Sequence, residues 1–287
     1  MNTEIIHNIQ IQLFLLTKKK FSNKYIKTNI LPIVEYIAYS DKKKFIIAGS
    51  QGVGKTTLIE ILKKNIEKYY KKKIMSLSLD DYYLSKDERS ILSKNTHHLL
   101  KTRGVPGTHD IKKLKKSINK FEKSKYPINI PIFDKLIDDR SDKIRKEKNQ
   151  KDILILEGWC CGCPPIEKKY LDKNINKLET LEDKDKIWRI YYNNNLNNEY
   201  KRLFKMFDKV IFLKTPSFKF VLNWRLKQEK MNKSNKKNQI KMNKKEILYF
   251  ISHYEKITKW MIKKLPHIAN LVVSINHKQE IIKTKFN

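Results

Sequence analysis

Glycine is scarce in this chain of 287 residues: there are seven, and all fall in three short clusters, Gly49, Gly52 and Gly54, then Gly104 and Gly107, then Gly158 and Gly162. Glycine permits positive φ and close approach of backbone to a ligand, so a chain that confines it to three places marks its own site. Cysteine is scarcer still, with Cys160, Cys161 and Cys163 in a single loop. Their spacing excludes a disulfide framework, and with no nearby histidine to complete four ligands they are expected to be reduced thiols and not a zinc site. Arginine supplies only seven of the 63 basic residues. The formal charge of +33 is therefore a lysine charge, dispersed in short runs such as Lys18 to Lys20 and Lys71 to Lys73 among frequent Asn and Ile. That pattern reads as AT-rich coding, which third-position base composition of the gene tests, and no specific nucleic-acid partner is expected. No segment has the eighteen or so consecutive apolar residues of a membrane span, and the N-terminus, with Glu4, lacks a basic start followed by an apolar core. A soluble, cytoplasmic protein with no membrane partner is expected.

What is present begins with Gly49-Ser50-Gln51-Gly52-Val53-Gly54-Lys55-Thr56, which satisfies G-x-x-x-x-G-K-[ST]. Lys44 to Ala48 before it is an apolar run of buried-strand type, and Thr57 to Lys72 after it carries Leu58, Ile61, Leu62 and Ile66 on one helical face. In that context backbone N–H groups and the positive end of the helix surround a β-phosphate, Lys55 reaches between the β- and γ-phosphates, and Thr56 ligates Mg²⁺. The nucleotide-binding residues expected are Gly49 through Thr57, with ATP and Mg²⁺ as cofactors.

Further apolar runs at residues 73–79, 152–156, 209–213 and 271–275 make four more strands, interleaved with helical segments. The pattern predicts an α/β domain with a central parallel five-stranded sheet covered on both faces. Residues 1–40 read as two helical stretches whose stripe of Ile5, Ile9, Leu13 and Leu16 packs on the core, and 41–287 as the main domain. Residues 168–202 and 229–246 are Asn/Lys-rich with little apolar spacing, the second reading as an exposed, mobile connection; a helix is expected over 246–264.

Ligands of such sheets bind beyond the carboxyl ends of the strands, where acidic residues stand. Asp80 and Asp81 end the second strand: one carboxylate can cap the following turn while the other takes a hydroxyl proton, and Asp80, first off the strand, is the expected base. Glu157 ends the third, where a metal-site carboxylate sits, with Thr56 as its partner. Retained arginine in a lysine-rich chain points to planar recognition of carboxylate or phosphate at Arg103, Arg140 and Arg225. Asp110 caps the next helix or lines the site, and His109 packs or binds.

Taken together, Ser78-Leu-Asp80-Asp81-Tyr82-Tyr83-Leu84, Arg103-Gly-Val-Pro-Gly-Thr-His-Asp110, Phe133-Asp134-Lys135 with Asp139-Arg140, Glu157-Gly-Trp159 and Trp224-Arg225-Leu-Lys-Gln228-Glu229 resemble the D-glycerate 3-kinase family. The resemblance covers about Phe45 to Glu229, with a continuation around Phe250 to Tyr254. It implies the three-layer P-loop kinase sandwich, with an acceptor-side insertion at about 84–150 and a helical lid at about 216–246. The activity implied is phosphorylation of D-glycerate by Mg-ATP to give 3-phosphoglycerate. Lys55, Asp80 and Arg225 would be catalytic, Arg225 closing from the lid, while Asp81, Tyr83, Arg103, His109, Asp134, Lys135, Arg140 and Trp159 would face the small-molecule acceptor. The chain departs from the family at Leu136-Ile137-Asp138, where a serine and a glycine are lost, and at Cys163, which replaces an aromatic residue. Both fall on the acceptor side. Two other readings stay open: a uridine- or pantothenate-type kinase, and a non-catalytic ATP-binding regulatory or nucleic-acid-associated protein.

Overall fold

The computed structural model describes residues 2–232 and 243–287. Three helices, α1 (Asn2–Thr17), α2 (Asn23–Asn29) and α3 (Leu31–Ala38), stand where the sequence predicts two helical stretches. Ser22 opens α2 by accepting the Tyr25 N–H, and Pro32 lies in the first turn of α3, where its missing N–H is no loss. Then come β1 (Lys44–Gly49), α4 (Lys55–Tyr70), β2 (Ile74–Ser78), α5 (Lys86–Asn95), α6 (Ile111–Glu122), β3 (Ile128–Asp134), β4 (Asp139–Glu147) and β5 (Ile153–Gly158). The chain continues through α7 (Lys168–Leu171), α8 (Lys177–Glu182), α9 (Ile187–Asn195), a π-helical turn (Leu196–Tyr200) and α10 (Lys201–Phe204). It closes with β6 (Lys209–Lys214), α11 (Phe218–Asn232), α12 (Lys244–Lys264), β7 (Leu271–Ile275) and β8 (Ile281–Phe286).

Successive side chains of a strand face opposite ways, and in β1 both faces are buried. Phe45 and Ile47 join a core with Ile9, Ile26, Val34, Leu58 and Trp224, from α1 to α4 and α11; Ile46 and Ala48 join one with Leu114, Tyr192, Leu203 and Ile257, from α6, α9, α10 and α12. The sheet between these helical layers runs β2-β5-β1-β6-β7-β8. Its five predicted strands are present and parallel, and a sixth must be added: β8 pairs antiparallel with β7. As an edge strand it buries Ile281 but exposes Ile282, Lys283 and Lys285, so it carries no continuous apolar run to announce it.

Two other segments differ from expectation. The insertion folds β3 and β4 into a separate hairpin, pairing Phe133 with Arg140 and Asp134 with Asp139. Residues 168–202, polar in composition, are largely helical, burying Trp188, Arg189, Tyr192, Leu196 and Tyr200; the polar residues cover short helices whose few aromatic side chains point inward. The 229–246 connection falls largely on residues 233–242, outside the described residues. Among the described residues no helix is long and apolar enough to cross a membrane.

Candidate active site

The turn from β1 into α4 forms the phosphate loop. Gly52 and Gly54 take φ of +73° and +102°, and a Cβ placed on Gly54 would meet no atom within 4 Å. Backbone conformation therefore requires that glycine, and the space above it is open. Lys55 Nζ donates to the carbonyls of Gly49 (2.9 Å) and Ser50 (3.1 Å). Ser50 and Thr215, just past β6, share a hydroxyl hydrogen bond of 2.6 Å, and the Gln279 side chain donates to the Gly52 carbonyl. Thr56 is exposed at the start of α4; Val53 is buried; Gln51 and Thr57 are partly exposed. A cavity of about 290 Å³ opens beside Val53, Gly54 and Thr57, walled by Tyr25, Trp224 and Gln279 among others.

At the ends of β2 and β5, Glu157 accepts from Ser78 Oγ at 2.6 Å, and its other oxygen lies 4.0 Å from Lys55 Nζ. The chain leaves β2 in a 3₁₀ turn, Leu79–Tyr82, that carries Asp80 and Asp81. Burial alone would lift the Asp80 carboxyl; Lys135, whose Nζ sits 2.6 Å from Asp80 Oδ2, overrides it with help from Lys55 and holds the group at about 2. Asp81 turns toward the hairpin, accepts from the Phe133 N–H at 3.5 Å, and is pushed up by burial to about 6. The two neighbours are thus chemically unlike, one a held anion and the other close to its titration point.

The Arg103 loop reaches this place through aromatic packing. Trp159 Nε1 donates to the Gly104 carbonyl at 3.1 Å, and Tyr254 hydroxyl to the Arg103 carbonyl at 2.8 Å. A Cβ at Gly104, whose φ is +145°, would come within 2.5 Å of Tyr254. Arg103 pairs with Asp138 and lies over the rings of Phe133 (5.4 Å) and Phe250 (5.7 Å). Arg225, on α11, lies 5.8 Å from the same Phe250 ring, so Arg103 and Arg225 meet across one aromatic side chain of α12. His109 stacks on Tyr83 with centroids 4.3 Å apart; burial pushes its imidazole down to about 3 against the pull of Asp80, leaving it uncharged at neutral pH.

Not every residue singled out from the sequence faces this space. Asp134 Oδ1 accepts the Leu136 N–H and so closes the hairpin turn. Arg140 donates to the Tyr83 carbonyl (2.9 Å) and pairs with Glu88 (3.0 Å) and Asp110 (3.4 Å), binding the hairpin to the starts of α5 and α6. Asp110 also caps α6, accepting from the Lys113 N–H. Trp159 is buried behind the Arg103 loop. Cys160, Cys161 and Cys163 are buried and unbridged, and burial pushes their thiols up. The sequence reading passes over Arg89, which is buried, donates to the carbonyls of Leu84, Lys101 and Asp138, and pairs with the Asp138 carboxylate. In a run of charged residues nothing distinguishes it. Thr215 is passed over too, although its place after the apolar run 209–213 is a signal.

A P-loop beside acidic strand ends agrees with the comparisons to known proteins. The chain is 30% identical over 245 residues to "Uncharacterized kinase mug58" of Schizosaccharomyces pombe, covering 81% of this chain and 86% of that protein. It is 27% identical over 215 residues to "D-glycerate 3-kinase, chloroplastic" of Arabidopsis thaliana, covering 71% of this chain and 44% of that one. The fold matches the solved structure of a D-glycerate 3-kinase from Cryptococcus neoformans with a TM-score of 0.73 at 23% identity, covering 90% of this chain and 96% of that chain. Residues 22–285, from the second helix through most of the last strand, match the family described as KAP family P-loop domain, and the chain belongs to that family as a P-loop kinase domain.

Proposed function

We propose that this kinase transfers the γ-phosphoryl group of ATP to a hydroxyl of D-glycerate, giving 3-phosphoglycerate and ADP. The observation that carries the reading is the position of Asp80, a carboxylate held anionic between Lys135 of the hairpin and Lys55 of the phosphate loop. There it accepts the proton of an acceptor hydroxyl as that oxygen bonds to phosphorus and the bond to the β–γ bridging oxygen breaks. Loose phosphoryl-transfer transition states ask more for positioning than for a strong base, so a group at about 2 suffices.

Residues Gly49 to Thr57 cradle the phosphates over the open face of Gly54, and the cavity beside Val53 takes the nucleoside end of ATP. Thr56 and Glu157 offer the hard oxygen donors that Mg²⁺ prefers. Among the described residues no cluster of three or more His, Cys, Asp or Glu gathers to hold a metal, and an ion bound here would share its shell with phosphate. When bound, Mg²⁺ neutralises phosphate charge. The acceptor side is cationic and aromatic: Lys135 and Arg103 suit the carboxylate of glycerate, Asp81, Tyr83 and His109 line it, and Arg225 approaches from α11. Asp134, Arg140 and Trp159 hold the elements that present these groups. Kinship with the Arabidopsis D-glycerate 3-kinase supports the choice of acceptor.

The test is ADP production with Mg-ATP and, in turn, D-glycerate, L-glycerate, pantothenate, uridine and no acceptor. Turnover is expected with D-glycerate, to be abolished in Lys55→Ala and reduced by about 100-fold or more in Asp80→Asn with ATP binding retained. Faster turnover with pantothenate or uridine, or ADP release indifferent to acceptor, would overturn the assignment.

A further inference from the structure

Tyr200 has no place in the phosphate loop or in the motifs around it, yet its hydroxyl sits at the back of the acceptor side. Three observations define it. The π-helical turn Leu196–Tyr200 separates α9 from α10, and Tyr192, Leu196 and Tyr200 are all fully buried. Residues four apart drift by about 40° per step on a straight α-helix; a wider turn keeps these three on one face, and such turns are frequent at functional sites. The Gly107 N–H donates to the Tyr200 hydroxyl at 3.1 Å, and that hydroxyl lies 2.5 Å from His109 Nδ1. The other ring nitrogen, His109 Nε2, is buried with no partner among the described residues, while the charge acting on the ring is that of Asp80.

Proton accounting gives the network one direction. The tyrosine oxygen accepts from Gly107, and its single hydrogen finds an acceptor only if Nδ1 presents a lone pair. The neutral ring then carries its proton on Nε2. The opposite tautomer strands the tyrosine hydrogen in a buried place, an unfavourable change. Tightness reinforces the arrangement: a Cβ at Gly107 would come within 2.5 Å of Tyr191.

We propose that Tyr200 is a positioning residue that locks His109 as a neutral Nε2–H donor to the phosphoryl acceptor, the unpaired N–H awaiting an acceptor oxygen. This rests on the kinase reading above and adds to it how the acceptor is oriented.

The test uses the full chain with ¹⁵N-labelled histidine, the His109 signals being assigned by their loss in His109→Gln. NMR on the protein alone is expected to show a protonated Nε2 and a bare Nδ1, with both tautomers populated in Tyr200→Phe. In the ADP assay Tyr200→Phe should raise KM for D-glycerate about tenfold at unchanged KM for ATP. His109→Gln, which keeps an N–H donor near the ε position, should retain more activity than His109→Leu. A proton on Nδ1, an imidazolium at neutral pH, or parallel rises in both KM values would overturn the proposal. Should another acceptor be the one phosphorylated, the glycerate assignment falls while the tautomer and that acceptor's KM still decide the role of Tyr200.

Discussion

Asp138 carries φ of +56° in the hairpin turn, a left-handed conformation that glycine takes freely and aspartate tolerates better than most residues. The loss of the family's glycine is thereby absorbed, but a carboxylate is added, and it pairs with both Arg89 and Arg103. On the proposed assignment of the acceptor, its carboxylate must compete with Asp138 for Arg103. Asp138→Gly is therefore expected to lower KM for D-glycerate about threefold, the worth of a half-exposed ion pair, leaving KM for ATP alone; an unchanged or higher acceptor KM would show that Arg103 does not meet the acceptor. Asp81 gives a second expectation. Its folded value near 6 lies above the ordinary 3.8, so ionising it opposes folding, a cost absent below about pH 4 and complete above about pH 6. Relative to the wild type, Asp81→Asn should gain stability as pH rises through that window, read as the difference in urea midpoints at pH 4 and pH 7. Lys55, Asp80 and Glu157 are legible in the sequence because each adjoins a strand end or a glycine, local signals both. Tyr200 is not, being 91 residues from the histidine it touches, and Arg140 sits in a recognisable string that says nothing of which carboxylates it meets.

Elements were legible in proportion to how far burial wrote itself into runs of neighbouring residues. β1, β5 and β6 are buried on both faces and read as continuous apolar strings; α12 shows its stripe, and its start is fixed by the Asn243–Glu246 capping box. The hairpin and β8, each with an exposed face, left weaker marks. Of the stripe on α1, Ile5, Ile9 and Leu13 pack inward while Leu16, in the last turn, is exposed, and an amide ladder joins α1 to α4: Asn8 donates to Asn65, and Asn65 to Gln12. Ile9→Ala should therefore destabilise the whole domain by about 2–4 kcal/mol, measured by equilibrium urea unfolding. A loss below about 0.5 kcal/mol would mark α1 as a loosely attached appendage.

At the scale of the molecule the +33 charge dominates. Like charges so many and so dispersed repel one another in the compact state, and salt screens that repulsion over about 10 Å at 0.1 M. The melting temperature is expected to climb by several degrees between roughly 20 and 300 mM NaCl; a flat or falling curve would mean that local ion pairs such as Lys44–Glu122 and Lys135–Asp80 outweigh the net field. The segments around Lys19 to Tyr25 and around Lys278 to Ile281 are stitched together across the cavity beside Val53. The Tyr25 hydroxyl accepts the Ile281 N–H at 2.7 Å, a separation of 256 residues, and Lys19 reaches the Lys278 carbonyl at 2.6 Å. At 5–20 residues per second a ribosome takes roughly 13–50 s to bridge that separation. Helices α1 to α3 thus wait, with part of their apolar face uncovered, for β8, and it is in that interval that a growing chain of this kind most needs a chaperone.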